Sequence, residues 1–174
     1  MLKEFFQRRS LRKDASKEPT GLLPLGKVRS AVAFIDVEDP SFDACKNAIQ
    51  AFFRDHGIKA DIFFIDFRKL TKDERLITSI STTVLRKDLS WFGKPSREKT
   101  NLMLSGEPDL FVSLLPVNSF PLEYMARCSR ARFKVGRQQL PGPVFDLVAL
   151  NPQGQRLSQA DAFPAIATLL EKIR

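Results

Sequence analysis

At 174 residues the chain is about one domain long, and a 43% hydrophobic share with 15 Phe is enough for a real core, which excludes global disorder. The net charge of +8 is uneven: residues 1–29 carry eight basic side chains against three acids, and the remaining 145 carry 20 against 17. Two isolated cysteines, Cys45 and Cys128, make no disulfide framework, and no segment approaches the ~20 apolar residues of a membrane span.

The opening stretch, MLKEFFQRRSLRKD, lacks the unbroken apolar run of a secretory signal, so a cytoplasmic setting is expected, with the inner membrane face as an alternative location. Leu2, Phe5 and Phe6 recur at helical spacing among basic residues, which predicts a short amphipathic helix. KEPTGLLPLG follows with two prolines and two glycines and breaks it. Residues 1–27 therefore read as a basic arm and linker, ahead of a single α/β domain over 28–174.

RSAVAFIDV is a continuous apolar run ending at Asp36, the pattern of a strand buried on both faces. Asp39-Pro40-Ser41 offers a turn and a cap. Phe42, Cys45, Ile49, Phe52 and Phe53 then follow at helical spacing as far as Gly57. ADIFFIDF is a second buried strand ending at Asp66, which completes a βαβ unit. Residues 71–106 are ambiguous: Ile77–Leu85 suits a strand or a poor helix, and Ser96 offers a cap for a helix ending near Gly106. DLFVSLLP is a third buried strand, and FPLEYMARCSRA is a helix with Pro121 in its first turn. ARFKVGR reads as a short strand alternating Phe133 and Val135 with basic residues. PGPVFDLVAL holds a last strand, and SQADAFPAIATLLEKIR a closing helix capped by Ser158 or Asp161. Alternating elements of this length predict a Rossmann-like, open and mainly parallel sheet with helices on both faces.

In such sheets ligands sit at the carboxyl ends of the strands. Those ends carry Asp36, Asp66, Asn118 and Asn151; the two aspartates suit either a shared crevice or the capping of the loops they begin. The strand-to-helix turns VEDPSFD and PVNSFPLE contain no glycine, which argues against a phosphate-cradling loop. The single histidine, His56, excludes a His–His metal site and fits a helix C-terminus. No metal or other cofactor is implied.

Three groups remain as binding candidates. The arm offers Lys3, Arg8, Arg9, Arg12 and Lys13, interleaved with Phe5 and Phe6, for RNA or a ribonucleoprotein, or for an anionic membrane surface. Arg130, Arg132, Lys134 and Arg137 form a second basic patch if they share one exposed face. WFGKP holds the only tryptophan in a turn set by Gly93 and Pro95. Trp91 and Phe92 either fold over the sheet as a plug, with Lys94 outward, or stack on a ligand while Lys94 meets a phosphate.

The WFGKP and FKVGR motifs, in that order, with the basic arm ahead and PLEYMA between them, resemble a family of small proteins of unknown function from the Bacteroidetes lineage. That resemblance covers nearly the whole chain and implies an α/β fold in a bacterial cytoplasm, and no activity. EPDLFVSLLP and PLEYMARCSRARFKVG are also similar to the acceptor half of heptosyltransferase-type glycosyltransferases. The chain has no room for the second domain that carries the nucleotide sugar in that family. The leading expectation is a non-enzymatic binding module that docks through its arm, on RNA or a ribonucleoprotein surface first and an anionic membrane second. The alternative is a small enzyme or ligand-binding domain working at the strand ends.

Overall fold

A computed structural model describes residues 1–174 in full. Six strands form one sheet: β1 (Ser30–Asp36), β2 (Lys59–Asp66), β3 (Thr83–Leu85), β4 (Leu110–Ser113), β5 (Phe133–Gly136) and β6 (Leu147–Val148). All pairings are parallel, and the order across the sheet is β3-β2-β1-β4-β5-β6. The order reverses between β1 and β4, which is the switch point of a Rossmann-like sheet.

The reason for continuous apolar runs is visible in the packing. Ala31, Ala33 and Ile35 of β1 point to one face, where Cys45, Ile49 and Phe53 of α2 (Phe42–Asp55) and Phe163, Ile166 and Leu170 of α5 (Gln159–Lys172) cover them. Val32 and Phe34 point to the other face, beneath Met103 of α3 (Arg97–Leu104) and Leu122, Met125 and Ala126 of α4 (Phe120–Cys128). A central strand covered on both sides favours apolar residues throughout, and a polar one is kept only where it finds an internal partner. The rings of Phe34, Phe63 and Phe111 stack across three neighbouring strands, with centroids 5.7 and 5.1 Å from Phe34.

The ambiguous stretch resolves into a strand at its centre. A single 3₁₀ turn at Ile80–Thr82 leads into β3, and Ser96 caps α3 by accepting from the Lys99 amide. The last strand is shorter than its apolar run suggests, because only Leu147 and Val148 pair with β5. Gly136 of β5 is required for close approach: an added Cβ would lie 2.3 Å from the Phe145 ring. Gly136→Ala must displace that ring from its packing near Phe111. The expected cost is about 1–3 kcal/mol, read as a lower urea midpoint with an unchanged slope.

The N-terminal segment is a formed helix, α1 (Leu2–Asp14), laid against α4. Its inward side is polar. Gln7 Nε2 donates to the Phe92 carbonyl at 2.8 Å, and Ser10 is buried. Asp14 accepts from Lys94 Nζ at 2.6 Å and from the Tyr124 hydroxyl at 2.8 Å. The linker is pinned in turn, since Ser16 N donates to Arg127 O and Gly21 N to Arg132 O. A stretch read from sequence as an arm is thus tied to the domain along its length.

Candidate functional site

The inward side of α1 is taken by Gln7, Ser10, Leu11 and Asp14, so Leu2, Phe5 and the basic residues face away from the body. Leu2 is 66% exposed and Phe5 57%. Phe6 bridges them to the WFGKP turn: its ring lies 5.6 Å from Phe5, 5.4 Å from Trp91 and 5.8 Å from Phe92, centroid to centroid. Phe92 continues the chain of rings inward to Phe120 and Tyr124. Lys3, Arg8, Arg9, Arg12 and Lys13 are all exposed around this patch, and none of the five makes a salt bridge.

The turn that presents Trp91 is held from both sides. Ser90 N donates to Lys94 O at 2.8 Å, Gly93 N donates to Ser90 O at 2.9 Å, and Leu89 bridges Pro95. Gly93 sits at φ +91°, a conformation that strains any side-chain-bearing residue, and it rests against Phe120 and Pro121. Trp91 is 61% exposed, so it is not a plug over the sheet. Lys94 does not point outward either: it is half-buried, paired with Asp14 and 5.3 Å from the Tyr124 ring centroid. Burial alone would raise the Asp14 carboxyl, but the bonds from Lys94 and Tyr124 outweigh it and hold it below the usual range. Tyr124 is buried and donates to that carboxylate, and burial first, then the bond, push its pKa far up.

The second basic patch does not form one face. Arg130 and Arg132 are exposed and pair with Glu107 and Asp109. Lys134 and Arg137 are 5% and 3% exposed. Lys134 Nζ reaches under the sheet cover to the Ala126 carbonyl, 2.6 Å away in the last turn of α4, and burial lowers its pKa. Arg137 donates to Asn151 Oδ1, to Leu157 O and, at 3.4 Å, to Leu114 O. These are internal ties at the strand ends, and desolvation lowers Arg137 as well. The alternation in ARFKVGR misled because β5 is covered on both faces, so its polar side chains run inward to backbone carbonyls.

Asp36 and Asp66 are not brought into one crevice. Asp36 accepts from the Glu38 amide at 2.9 Å, and burial raises its pKa. It borders a cavity of about 90 Å³ at the switch point, with Ser119 and Leu122 opposite, too small for a nucleotide or other drug-sized ligand. Asp66 is buried and engaged by Arg68, whose Nε and Nη2 lie 2.7 Å from its two oxygens; that pair holds the carboxyl low.

The expected lack of a phosphate cradle now has a physical cause beyond missing glycines. Asp39, in the turn after β1, accepts from Ser41 N and from Gln159 N, the first residue of α5, at 2.8 Å each. Ser41 Oγ accepts from Ala160 N, and Gln159 is fully buried, clamped to both the amide and the carbonyl of Asp36 at 2.7 Å. A protein carboxylate therefore occupies the place where helix N-termini would hold a phosphate. Burial raises Asp39, yet the bonds from Ser41 and Gln159 leave it below the usual carboxylate range.

No group of three or more His, Cys, Asp or Glu converges to hold a metal. Cys45 and Cys128 are both pushed up by burial, to about 12 and about 11, and so are protonated thiols. His56 closes α2, its Nδ1 2.8 Å from the Phe52 carbonyl and its Nε2 3.4 Å from Glu171. No helix is long and apolar enough to cross a membrane.

Two features escaped sequence reading. One is the Gln159–Asp36–Asp39 clamp, whose partners lie about 120 residues apart. The other is a basic groove of about 640 Å³ beside Asp66, for which the clustering of Arg68-Lys69 and Arg86-Lys87 near two strand ends was the available signal. A search of the curated proteins returns no match. A family of unknown function (DUF6913) matches residues 3–155, which run from α1 through the whole sheet to the loop before α5, and the chain belongs to that family.

Proposed function

We propose that the protein is a non-enzymatic binding module that docks on an anionic membrane surface through the outer side of α1 and the Trp91 turn. One observation carries this reading: α1 binds the body with its polar side and leaves Leu2, Phe5 and Phe6 exposed beside Trp91, among unpaired Arg8, Arg9 and Arg12. An ordinary surface helix buries its apolar side and exposes the polar one. The inversion makes sense if a second surface, apolar within and anionic at its boundary, completes the burial.

RNA would use the same charges, and it shares the requirement for exposed aromatic rings. Two features favour the membrane. Leu2 and the neighbouring Met1 are aliphatic, so they add buried area in lipid and no stacking on bases. The exposed rings also meet edge to face, Phe5–Phe6 at 88° and Phe6–Trp91 at 71°, which interlocks them as a wedge rather than presenting parallel platforms.

Trp91, as the only tryptophan, reports directly. Its emission is expected to move to shorter wavelength on adding phosphatidylglycerol vesicles, and to stay unchanged with phosphatidylcholine vesicles. Salt should reverse the change, because the charges are exposed. Emission insensitive to anionic vesicles, but quenched by single-stranded RNA, would transfer the docking role to nucleic acid.

A further inference from the structure

We infer that the groove at the carboxyl ends of β2 and β3 is a binding site for a phosphate monoester with an apolar portion. Its lining holds four cations, Arg68, Lys69, Arg86 and Lys87, and three leucines, Leu70, Leu76 and Leu85. The only carboxylate in the lining is Asp66, and both of its oxygens are already engaged by Arg68. Glu74, in the loop nearby, is exposed and accepts from the Thr71 amide. Lys69, Arg86 and Lys87 have no ion-pair partner. The lining thus sets four cations against one carboxylate that is already engaged, and Glu74 and Glu38 act on Arg68 only from outside it.

Arg68 is what distinguishes this groove from a solvated charge cluster. A guanidinium clamped by two bonds to a buried carboxylate is held in place before any ligand arrives, and its Nη1 remains without a protein partner. A positioned Arg among lysines suits a phosphate dianion, which accepts both bidentate and point-charge contacts. The leucines supply the apolar wall that small-molecule sites need, and a volume of about 640 Å³ admits a ligand much larger than phosphate itself. The location follows the rule for open α/β sheets, displaced from the closed switch point to the neighbouring strand ends.

A phosphate monoester could come from a soluble metabolite or from a lipid headgroup, since Arg86 and Lys87 head the same loop that presents Trp91. The test therefore has two arms. In the first, phenyl phosphate is titrated into the full-length protein by calorimetry, with potassium chloride at matched ionic strength as control. Saturable binding is expected. The Arg86→Gln/Lys87→Gln variant should bind at least about tenfold more weakly, because two charge-assisted contacts are lost, while a Lys59→Gln/Lys172→Gln variant, which removes two exposed cations outside both proposed surfaces, should match wild type. In the second arm, vesicles of phosphatidic acid are compared with phosphatidylglycerol vesicles of equal charge. A preference for phosphatidic acid that the Arg86→Gln/Lys87→Gln variant loses identifies the lipid as the source; phenyl phosphate binding without that preference identifies a soluble ester. The inference is overturned if wild type binds neither probe beyond the salt control, or if the groove variant binds as wild type does. Because the first arm contains no membrane, its result stands apart from the docking reading.

Discussion

Replacing Arg8, Arg9 and Arg12 together by glutamine is expected to cut binding to phosphatidylglycerol vesicles by roughly a hundredfold, since each basic residue near an anionic surface contributes about 1 kcal/mol. The fold should not notice. All three side chains are exposed and unpaired, while the contacts that seat α1, from Gln7, Ser10 and Asp14, are untouched. Cosedimentation at several salt concentrations gives the binding constants, and a thermal melt checks the fold. Phe5→Ser with Trp91→Ser separates the apolar contribution from the charge. That pair should weaken binding while leaving its salt dependence in place, because the cations remain. Equal cosedimentation of the triple variant and wild type would remove α1 from the docking surface.

The largest effect on stability is expected at Gln159, far from either proposed binding surface. Gln159→Leu keeps the volume but leaves the Asp36 amide without its acceptor and the Asp36 carbonyl with only a 3.4 Å contact from Asp39 N. Two buried polar groups left wholly or partly unpaired cost about 2–4 kcal/mol in total. For a chain of this size that lowers the melting temperature by roughly 5–15 °C. Gln159→Ala adds a cavity and should be worse. A melt shifted by less than a degree or two would mean the clamp is an accessory to packing rather than the lock between α5 and β1.

The same clamp predicts an acid limit. Asp39 has a folded pKa below its unfolded value of about 3.9, so its contribution is fully present above that value. It is lost as the pH falls through the folded pKa, when Ser41 N and Gln159 N lose their charged acceptor. Asp39→Asn should flatten the pH dependence of stability at the acid end, measured by urea unfolding between neutral pH and pH 3.

How much of this was legible in the sequence depended on whether a residue's role was local. The apolar runs of β1 and β4 and the spaced apolar residues of α2 and α5 announced a layered α/β fold. Ser96 and Ser158 cap the helices they precede, because a cap acts only on the amides of the next turn. The turn after β1, which lacks glycine, is occupied by the Asp39 carboxylate bonded to Ser41 N and Gln159 N, and the second of these partners is not a local property. Lys134 and Arg137 looked like surface cations. Only the cover on both faces of β5 turns them inward, and no property of FKVGR reports that cover.

The N-terminal segment shows the division most clearly. Its charge, its aromatic residues and its helical spacing were properties of the sequence by itself, as were the apolar periods that determine the α/β class. Which side of the helix meets the body was decided by Asp14 finding Lys94 and Tyr124, 80 and 110 residues away, and by Gln7 finding the Phe92 carbonyl. The physical reason is that periodicity records only local burial preference, whereas a polar pair gains from burial only when the fold delivers both partners to one place. Tertiary structure therefore chose the polar side of α1 for the interior and left Leu2, Phe5, Phe6 and the basic residues exposed.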